Sequence, residues 1–336
     1  MSTNAVAARL GGFTWRRWIK RNGWTVGVWA LLALSVAWYA TLIPRFGTFE
    51  VTTILKSGLP LALLALAQGV IVLSGGVDLS IGSMLVLANV TSARFMEGQD
   101  FTTTLMIALI VLIAAAVLDA IVGWIISVSR VPDIVVTLAT SFVLAGLALW
   151  ILPSPGGGTS GGFRILFTGS EFGIGRVWWP SLVMLAVPTA AVWLIMRRTR
   201  TGLSLYAIGS SRDAAFLSGL NVKRSRIIAY ALGGFLAALA GLATTAITGG
   251  GEPRYAIGAN ATLNSVAAVV LGGIALTGGI GSPLGAVAAA YVLYMLAPIL
   301  TSLGVDPNQA QVIQGVLIVL VMMGAGLIEL RRRRTV

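Results

Sequence analysis

From Ser57 to Ala93 the chain runs for 37 residues with a single charge, Asp78. A membrane-spanning helix takes about 20 residues, so this run is too long for one span and fits two short ones. The break falls within Ser74-Gly75-Gly76-Val77-Asp78-Leu79-Ser80-Ile81-Gly82-Ser83, where a glycine pair stops the first helix and the following Asp-Leu-Ser starts the second. A carboxylate therefore sits at a helix break inside or at the edge of a bilayer. Two roles fit it, and they do not exclude each other. As an N-cap, Asp78 accepts from the N–H of Ser80 or Ile81. As part of a solute path, it lines the packed or wet environment that non-helical backbone requires at membrane depth. Gly75, Gly76, Asp78, Ser80 and Ser83 are the candidate path residues of the break.

The rest of the chain is of the same kind. Of its 336 residues 57% are hydrophobic and 10% charged, where a soluble domain carries about 25% charge. The pattern predicts an all-α polytopic membrane protein of about ten transmembrane helices, some of them broken at glycine-rich stretches. The first span is Trp24 to Ile43, closed by Pro44, with Arg45, Glu50 and Lys56 in a short outer connection. Two spans flank the Asp78 break, and Phe101 to Val128 makes a fourth with Asp119 buried in it. After an inner turn at Arg130, Pro132 and Asp133 comes a fifth, Ile134 to Ile151. An outer loop from Pro153 to Pro180 follows, then a sixth span from Ser181 to Met196, an inner loop over 197–226 and a seventh span from Ile227 to Ile247. Spans eight and nine straddle a second glycine-rich break, Thr277-Gly278-Gly279-Ile280-Gly281-Ser282-Pro283, and the tenth is Val312 to Ile328.

The net charge of +12 follows topology: 17 of the 23 Lys and Arg residues fall on the side of the termini, which places both termini in the cytoplasm. Nucleic acid is not an expected partner. The domain reading is a basic leader (1–23) lying at the membrane surface, one transmembrane domain (24–330) and a basic tail (331–336). A weak internal echo relates Leu66-Ala67-Gln68-Gly69 before Ser74-Gly75-Gly76 to Leu239-Ala240-Gly241 before Thr248-Gly249-Gly250, on helices of opposite direction, as in transporters built from inverted repeats.

The chain contains no Cys and no His, which excludes thiol nucleophiles, His bases and Cys/His metal sites. No metal or cofactor is expected. No phosphate-binding loop of the G-x-x-x-x-G-K-[ST] form occurs, so the chain should not hydrolyse ATP itself. For Asp119 a local hydrogen bond to a neighbouring helix or water competes with a direct solute contact. In the inner loop, Ser210 to Gly219 predicts a short helix capped at Ser210 or Ser211 and stopped by Gly219. It suits lipid headgroups or a groove in a partner protein, and Lys223, Arg224 and Arg226 suit a headgroup anchor. The outer loop, with Arg164, Glu171 and Arg176, suits contact with a soluble protein outside.

Five stretches in order resemble the permease subunits of bacterial ABC importers of the ribose, xylose and galactose type, over about Phe46 to Gly326. They are Ser74 to Ser83; Val131-Pro132 with Val136-Thr137-Leu138-Ala139-Thr140; Tyr206-Ala207-Ile208-Gly209; Asp213-Ala214-Ala215 with Leu217-Ser218-Gly219-Leu220-Asn221-Val222; and Val269-Val270-Leu271-Gly272-Gly273 with Thr277-Gly278-Gly279. The resemblance implies a dimeric pore in the bacterial inner membrane, formed with a second copy or a related permease. A periplasmic or lipid-anchored solute-binding protein delivers a monosaccharide or similar small polar solute to it, and a separate cytoplasmic ATP-binding subunit drives it. It implies that Asp213, Ala214, Ala215, Leu217, Ser218 and Gly219 form the helix that docks on the ATPase, and that Thr137 and Asn264 join the path. Family members commonly carry Glu-Leu-Asp-Ala where this chain has Thr262-Leu263-Asn264-Ser265, so two acids are replaced and the sugar is not named. The alternative from another class is an ion-coupled carrier using Asp78 and Asp119.

Overall fold

The computed structural model describes residues 15–129, 131–171 and 177–334. Residues 1–14 of the leader, Arg130 of the inner turn, Arg176 of the outer loop and the last two residues of the tail lie outside the described residues. The described chain is helical, with one isolated antiparallel bridge between Gly156 and Gly251. In order the helices are α1 (Trp15–Leu42), α2 (Thr48–Leu73), α3 (Ile81–Met96), α4 (Phe101–Ser129), α5 (Asp133–Ile151), α6 (Gly161–Thr168), α7 (Trp179–Arg198), α8 (Arg200–Ser210), α9 (Arg212–Leu217), α10 (Val222–Thr248), α11 (Tyr255–Leu271), α12 (Pro283–Ser302) and α13 (Pro307–Arg334). Seven of them, α1, α2, α4, α5, α7, α10 and α12, are long and apolar enough to cross a membrane. Two shorter apolar helices, α3 and α11, follow glycine-rich turns.

The centre of the bundle is α2, whose apolar window is 78% buried, with α10 and α12 at 61%. The window of α1 is only 6% buried, so it is peripheral and presents Trp29, Leu31, Leu34 and Trp38 outward. In lipid, burying apolar surface between helices gains little, and close packing of small residues takes its place. Accordingly the core is rich in alanine: Ala62, Ala65 and Ala67 on α2, Ala237, Ala238 and Ala240 on α10, and Ala288, Ala289 and Ala290 on α12 are all fully buried. Gly58 of α2 leaves room for the Tyr291 ring of α12, which a Cβ there would meet at 2.4 Å. The Tyr291 hydroxyl then donates to the Leu55 carbonyl at 2.8 Å, close to the place where Pro60 interrupts the helical ladder.

Several boundaries differ from the sequence reading. Glu50 and Lys56 are not in a connection but in α2, because Glu50 in its first turn accepts from the Gly47 N–H at 2.7 Å, as a capping residue does. α1 begins at Trp15, so the basic residues Arg16 to Arg21 extend the first apolar helix rather than precede it. α13 starts at Pro307, pre-organised for the first helical position, with Asp306 Oδ1 accepting from Asn308 N–H at 2.8 Å. The outer loop contains α6, capped by Ser160 and closed by Gly169 at φ +73°, and Gly158 N–H donates to the Ala93 carbonyl.

α3 and α11 cross with backbone against backbone at Gly82 and Gly258. A Cβ at Gly82 would stand 2.0 Å from the Gly258 carbonyl oxygen. That oxygen belongs to backbone, so the clash cannot be relieved by a rotamer change. Gly82→Ala is expected to cost about 1–3 kcal/mol and to lower the midpoint of thermal unfolding in detergent, read by size-exclusion fluorescence. The same change at Gly146, which has nothing near its Cβ position, is the matched control and should leave the midpoint unmoved.

Candidate functional site

A helix that stops at membrane depth leaves four carbonyls without partners, and the next one starts with four N–H groups in the same state. At the first break, α2 ends with Gly75 at φ +77°, and the hydrogen bonds Gly76 N–H to Ile71 O (3.2 Å) and Gly75 N–H to Val72 O (2.9 Å) close a Schellman turn. The second break repeats this: Gly273 at φ +84° ends α11, with Ile274 N–H to Val269 O and Gly273 N–H to Val270 O. The two breaks meet. Gly279 N–H donates to the Leu73 carbonyl at 3.1 Å, and a Cβ at Gly278 would be 2.8 Å from the Gly75 backbone.

The start of α3 is satisfied by three other elements. Asp78 Oδ1 accepts from both the N–H (2.7 Å) and the hydroxyl (2.6 Å) of Ser80. Leu79 N–H donates to Thr137 Oγ1 of α5 at 3.1 Å, and Gly82 N–H to Thr262 Oγ1 of α11 at 3.0 Å. Asp78 thus makes the hydrogen bond to Ser80 expected of a cap, although the cap residue of α3 by position is Ser80. Its other oxygen, Oδ2, is buried without a hydrogen-bond partner among the described residues. Ser83 is also buried, while Asn264 is half-buried beside the exposed Leu263; on α11 it is Thr262 that reaches the break.

The inner loop packs onto both breaks. α8 places Tyr206, whose hydroxyl donates to the Gly281 carbonyl at 3.1 Å, and Gly209, where a Cβ would lie 2.1 Å from Leu73 O and 2.4 Å from Gly279 N. Only glycine fits against that inter-break hydrogen bond. α9 is N-capped by Ser211, which accepts from Ala214 N–H, and is closed by Gly219 at φ +82°, as the sequence predicts. Its residues Asp213, Ala214, Phe216, Leu217, Ser218 and Gly219 are exposed. Ala215 is not: it is 4% exposed and turned into the chain, so it is not available to a partner's groove. Arg226 is likewise not a headgroup anchor. It is buried and bonded through Nη2 to Asp133 Oδ2, which also accepts from the Tyr230 hydroxyl at 3.2 Å. Lys223 lies over the Trp124 ring at 5.9 Å from its centroid.

Deeper in the bundle, Asp119 of α4 is fully buried against Gly234 of α10, and neither of its oxygens has a hydrogen-bond partner among the described residues. Of the two partners considered for it, a neighbouring helix and water, no described helix residue supplies a hydrogen bond. At the opposite end of the bundle, Asn89 of α3 holds the glycine-rich turn after α10. Its Nδ2 donates to Thr245 Oγ1 (2.9 Å) and the Gly250 carbonyl (3.0 Å), and its Oδ1 accepts from Glu252 N–H (2.9 Å). Asn89 also lines a cavity of about 510 Å³ with Leu85, Thr244, Thr248, Glu252 and Ile257. Arg164, expected as an outward rim residue, instead donates to the Ala246 and Ile247 carbonyls at the end of α10, where a cation suits the helix C-terminus.

Sequence reasoning missed Asp133, Tyr230, Thr262 and Asn89 as site residues. Asp133 looked like a turn residue because Pro132 precedes it, and Asn89 carries no local signal, since its partners lie 156 to 163 positions away.

Residues 50–322 match the family described as the permease component of the branched-chain amino acid transport system. The ribose import permease of Escherichia coli K12 is 31% identical over 334 residues, covering 96% of this chain and 98% of that protein. The fructose import permease of Rhizobium meliloti is 32% identical, covering 86% and 82%. An autoinducer 2 import permease of Salmonella paratyphi A is 30% identical, covering 92% of both. No solved structure matches the chain.

Removing the Asn89 side chain takes from the Glu252 N–H the acceptor it has, at a cost of about 1–3 kcal/mol, while Thr245 Oγ1 still donates to the Asn89 and Gly241 carbonyls and the Gly250 carbonyl still accepts from Thr248. Asn89→Ala is therefore expected to lower the thermal midpoint clearly. It should also raise hydrogen exchange at Glu252 relative to Gly279 at the other end, measured by mass spectrometry in detergent.

Proposed function

The chain belongs to the family of permease components of the branched-chain amino acid transport type, and from that membership we propose how it works as the membrane subunit of an ATP-driven importer. It is a multi-pass membrane protein that passes a monosaccharide, or a small polar solute of similar size, into the cytoplasm. The ribose, fructose and autoinducer 2 permeases that it matches nearly end to end support that solute class. Ten spans fit best: the seven long helices, the short α3 and α11, and α13. In that arrangement both termini, both breaks and α8–α9 share the cytoplasmic side, and α6 with the Asn89 cavity faces outward. Positive charge on α1, α9, α10 and at the end of α13 supports the orientation.

The observation that carries the mechanism is α9. It is an exposed helix that directly follows α8, which packs on the junction of the two breaks, in a chain with no phosphate-binding loop of its own. Driving energy enters there from a separate ATPase subunit, which meets Asp213, Ala214, Phe216 and Leu217. The outer surface around α6 receives a solute-binding protein, and a second permease completes the pore. Gly75, Gly76, Asp78, Ser80, Ser83 and Thr137 form the inner constriction of the path, and Asn264 of α11 lines it further out. Among the described residues of this group, Asp78 has a buried oxygen with hydrogen-bonding capacity to spare.

Reconstituted in liposomes with its ATPase and binding protein, the chain should take up sugar only when ATP is present. Uptake by the chain alone under a proton or sodium gradient would overturn the assignment. Leu217, 84% exposed, tests the docking helix more cleanly than the inward Ala215. Leu217→Glu is expected to insert and unfold normally but to lose co-purification with the ATPase by about tenfold or more, as removal of an interface anchor does. Unchanged co-purification and uptake would remove α9 from the mechanism.

A further inference from the structure

α9 is joined to the broken helices by one charged side chain. Arg212, the first residue of α9, donates through Nη2 to the Gly75 carbonyl at 2.9 Å and stands 3.9 Å from Asp133 Oδ2. The same carboxylate oxygen holds Arg226 and Tyr230 of α10. The two arginines differ in burial: the Arg226 side chain is 5% exposed and that of Arg212 47%. A buried, hydrogen-bonded pair is costly to break because it leaves a charge stranded, whereas a half-exposed one is held by little. Asp133–Arg226 is the fixed post between α5 and α10, and Arg212 is the contact that can be exchanged.

Resting on the reading of α9 as the ATPase-docking helix, we infer that Arg212 is the positioning residue that transmits movement of that helix to the inner break. The reason lies in the Gly75 carbonyl. Gly75 is in the left-handed conformation of the turn that ends α2, and its neighbour Gly76 packs against Asp133 and Tyr230, with no room for a Cβ: it would meet Asp133 Oδ2 at 2.9 Å and the Tyr230 hydroxyl at 3.0 Å. While Arg212 is in place, the Gly75 carbonyl has a partner and the turn stays closed against Gly209 and Gly278. Once α9 shifts and Arg212 leaves, the half-exposed Gly75 carbonyl exchanges the guanidinium for water, and the turn that ends α2 loses its side-chain tie to α9. Release of one half-exposed hydrogen bond is thereby linked to opening of the two breaks.

The test uses the full transporter in proteoliposomes. The absence of native cysteine allows a single reporter, Val77→Cys, at a half-buried position in the break, whose maleimide labelling rate reports opening. With Arg212 intact, labelling should change between the nucleotide-free and ATP-bound states. With Arg212→Ala, the ATPase should still co-purify and the thermal midpoint should stay within error. Labelling should then be fast in both states, and solute uptake per ATP hydrolysed should fall at least about fivefold, the scale of a typical coupling between sites. Arg212→Gln, which can still donate to the Gly75 carbonyl but lacks charge, should restore a good part of the coupling. If Arg212→Ala kept wild-type uptake per ATP and nucleotide-dependent labelling, the inference would be overturned while the docking reading stood. If the unmutated chain failed to retain the ATPase, the docking reading itself would fall.

Discussion

Backbone hydrogen bonding without water is the constraint from which this structure follows. Two helices stop at breaks that meet inside the bundle, and each orphaned group there must find a partner. The chain solves this with two left-handed glycine turns, with the Thr137 and Thr262 hydroxyls, with the Asp78 carboxylate and with contacts between the breaks themselves. Among the described residues the buried side-chain atoms left without partners include both oxygens of Asp119, one oxygen of Asp78 and the amide of Gln68, and the two carboxylates stand out because an unserved acid costs more than an unserved amide.

The coarse fold was legible because it depends on local signals. A run of 37 residues with one charge must contain a break, and Gly75 and Gly219 mark helix ends by the conformations they permit. The short helix capped by Ser211 was readable for the same reason, its cap and its stop lying eight residues apart. What escaped were pairings between distant positions. Asp133 meets residues 93 and 97 positions away, and nothing in the sequence around it distinguishes a turn residue from the centre of a charged cluster. Arg164 and Arg226 were misplaced by one assumption, that charge in a membrane protein points outward. Both turn inward instead, one to helix carbonyls and the other to a carboxylate.

Glycine has two separate duties that composition cannot tell apart. At Gly75 and Gly273 it supplies a positive φ. At Gly82, Gly209 and Gly258 it supplies an absent side chain, letting backbone approach backbone at distances that no Cβ tolerates. The resemblance to sugar permeases picked out Gly209 within Tyr206-Ala207-Ile208-Gly209 without giving a reason. Its packing on the bond between Leu73 and Gly279 gives one.

That bond, from Gly279 N–H to the Leu73 carbonyl, means that the ends of two helices far apart in the chain share a single latch. Neither end can part from the other without stripping its neighbour of a partner. Partial separations are therefore the expensive states, and a junction so built comes apart in one step rather than by degrees, because what holds it is backbone and not a side chain that could turn aside.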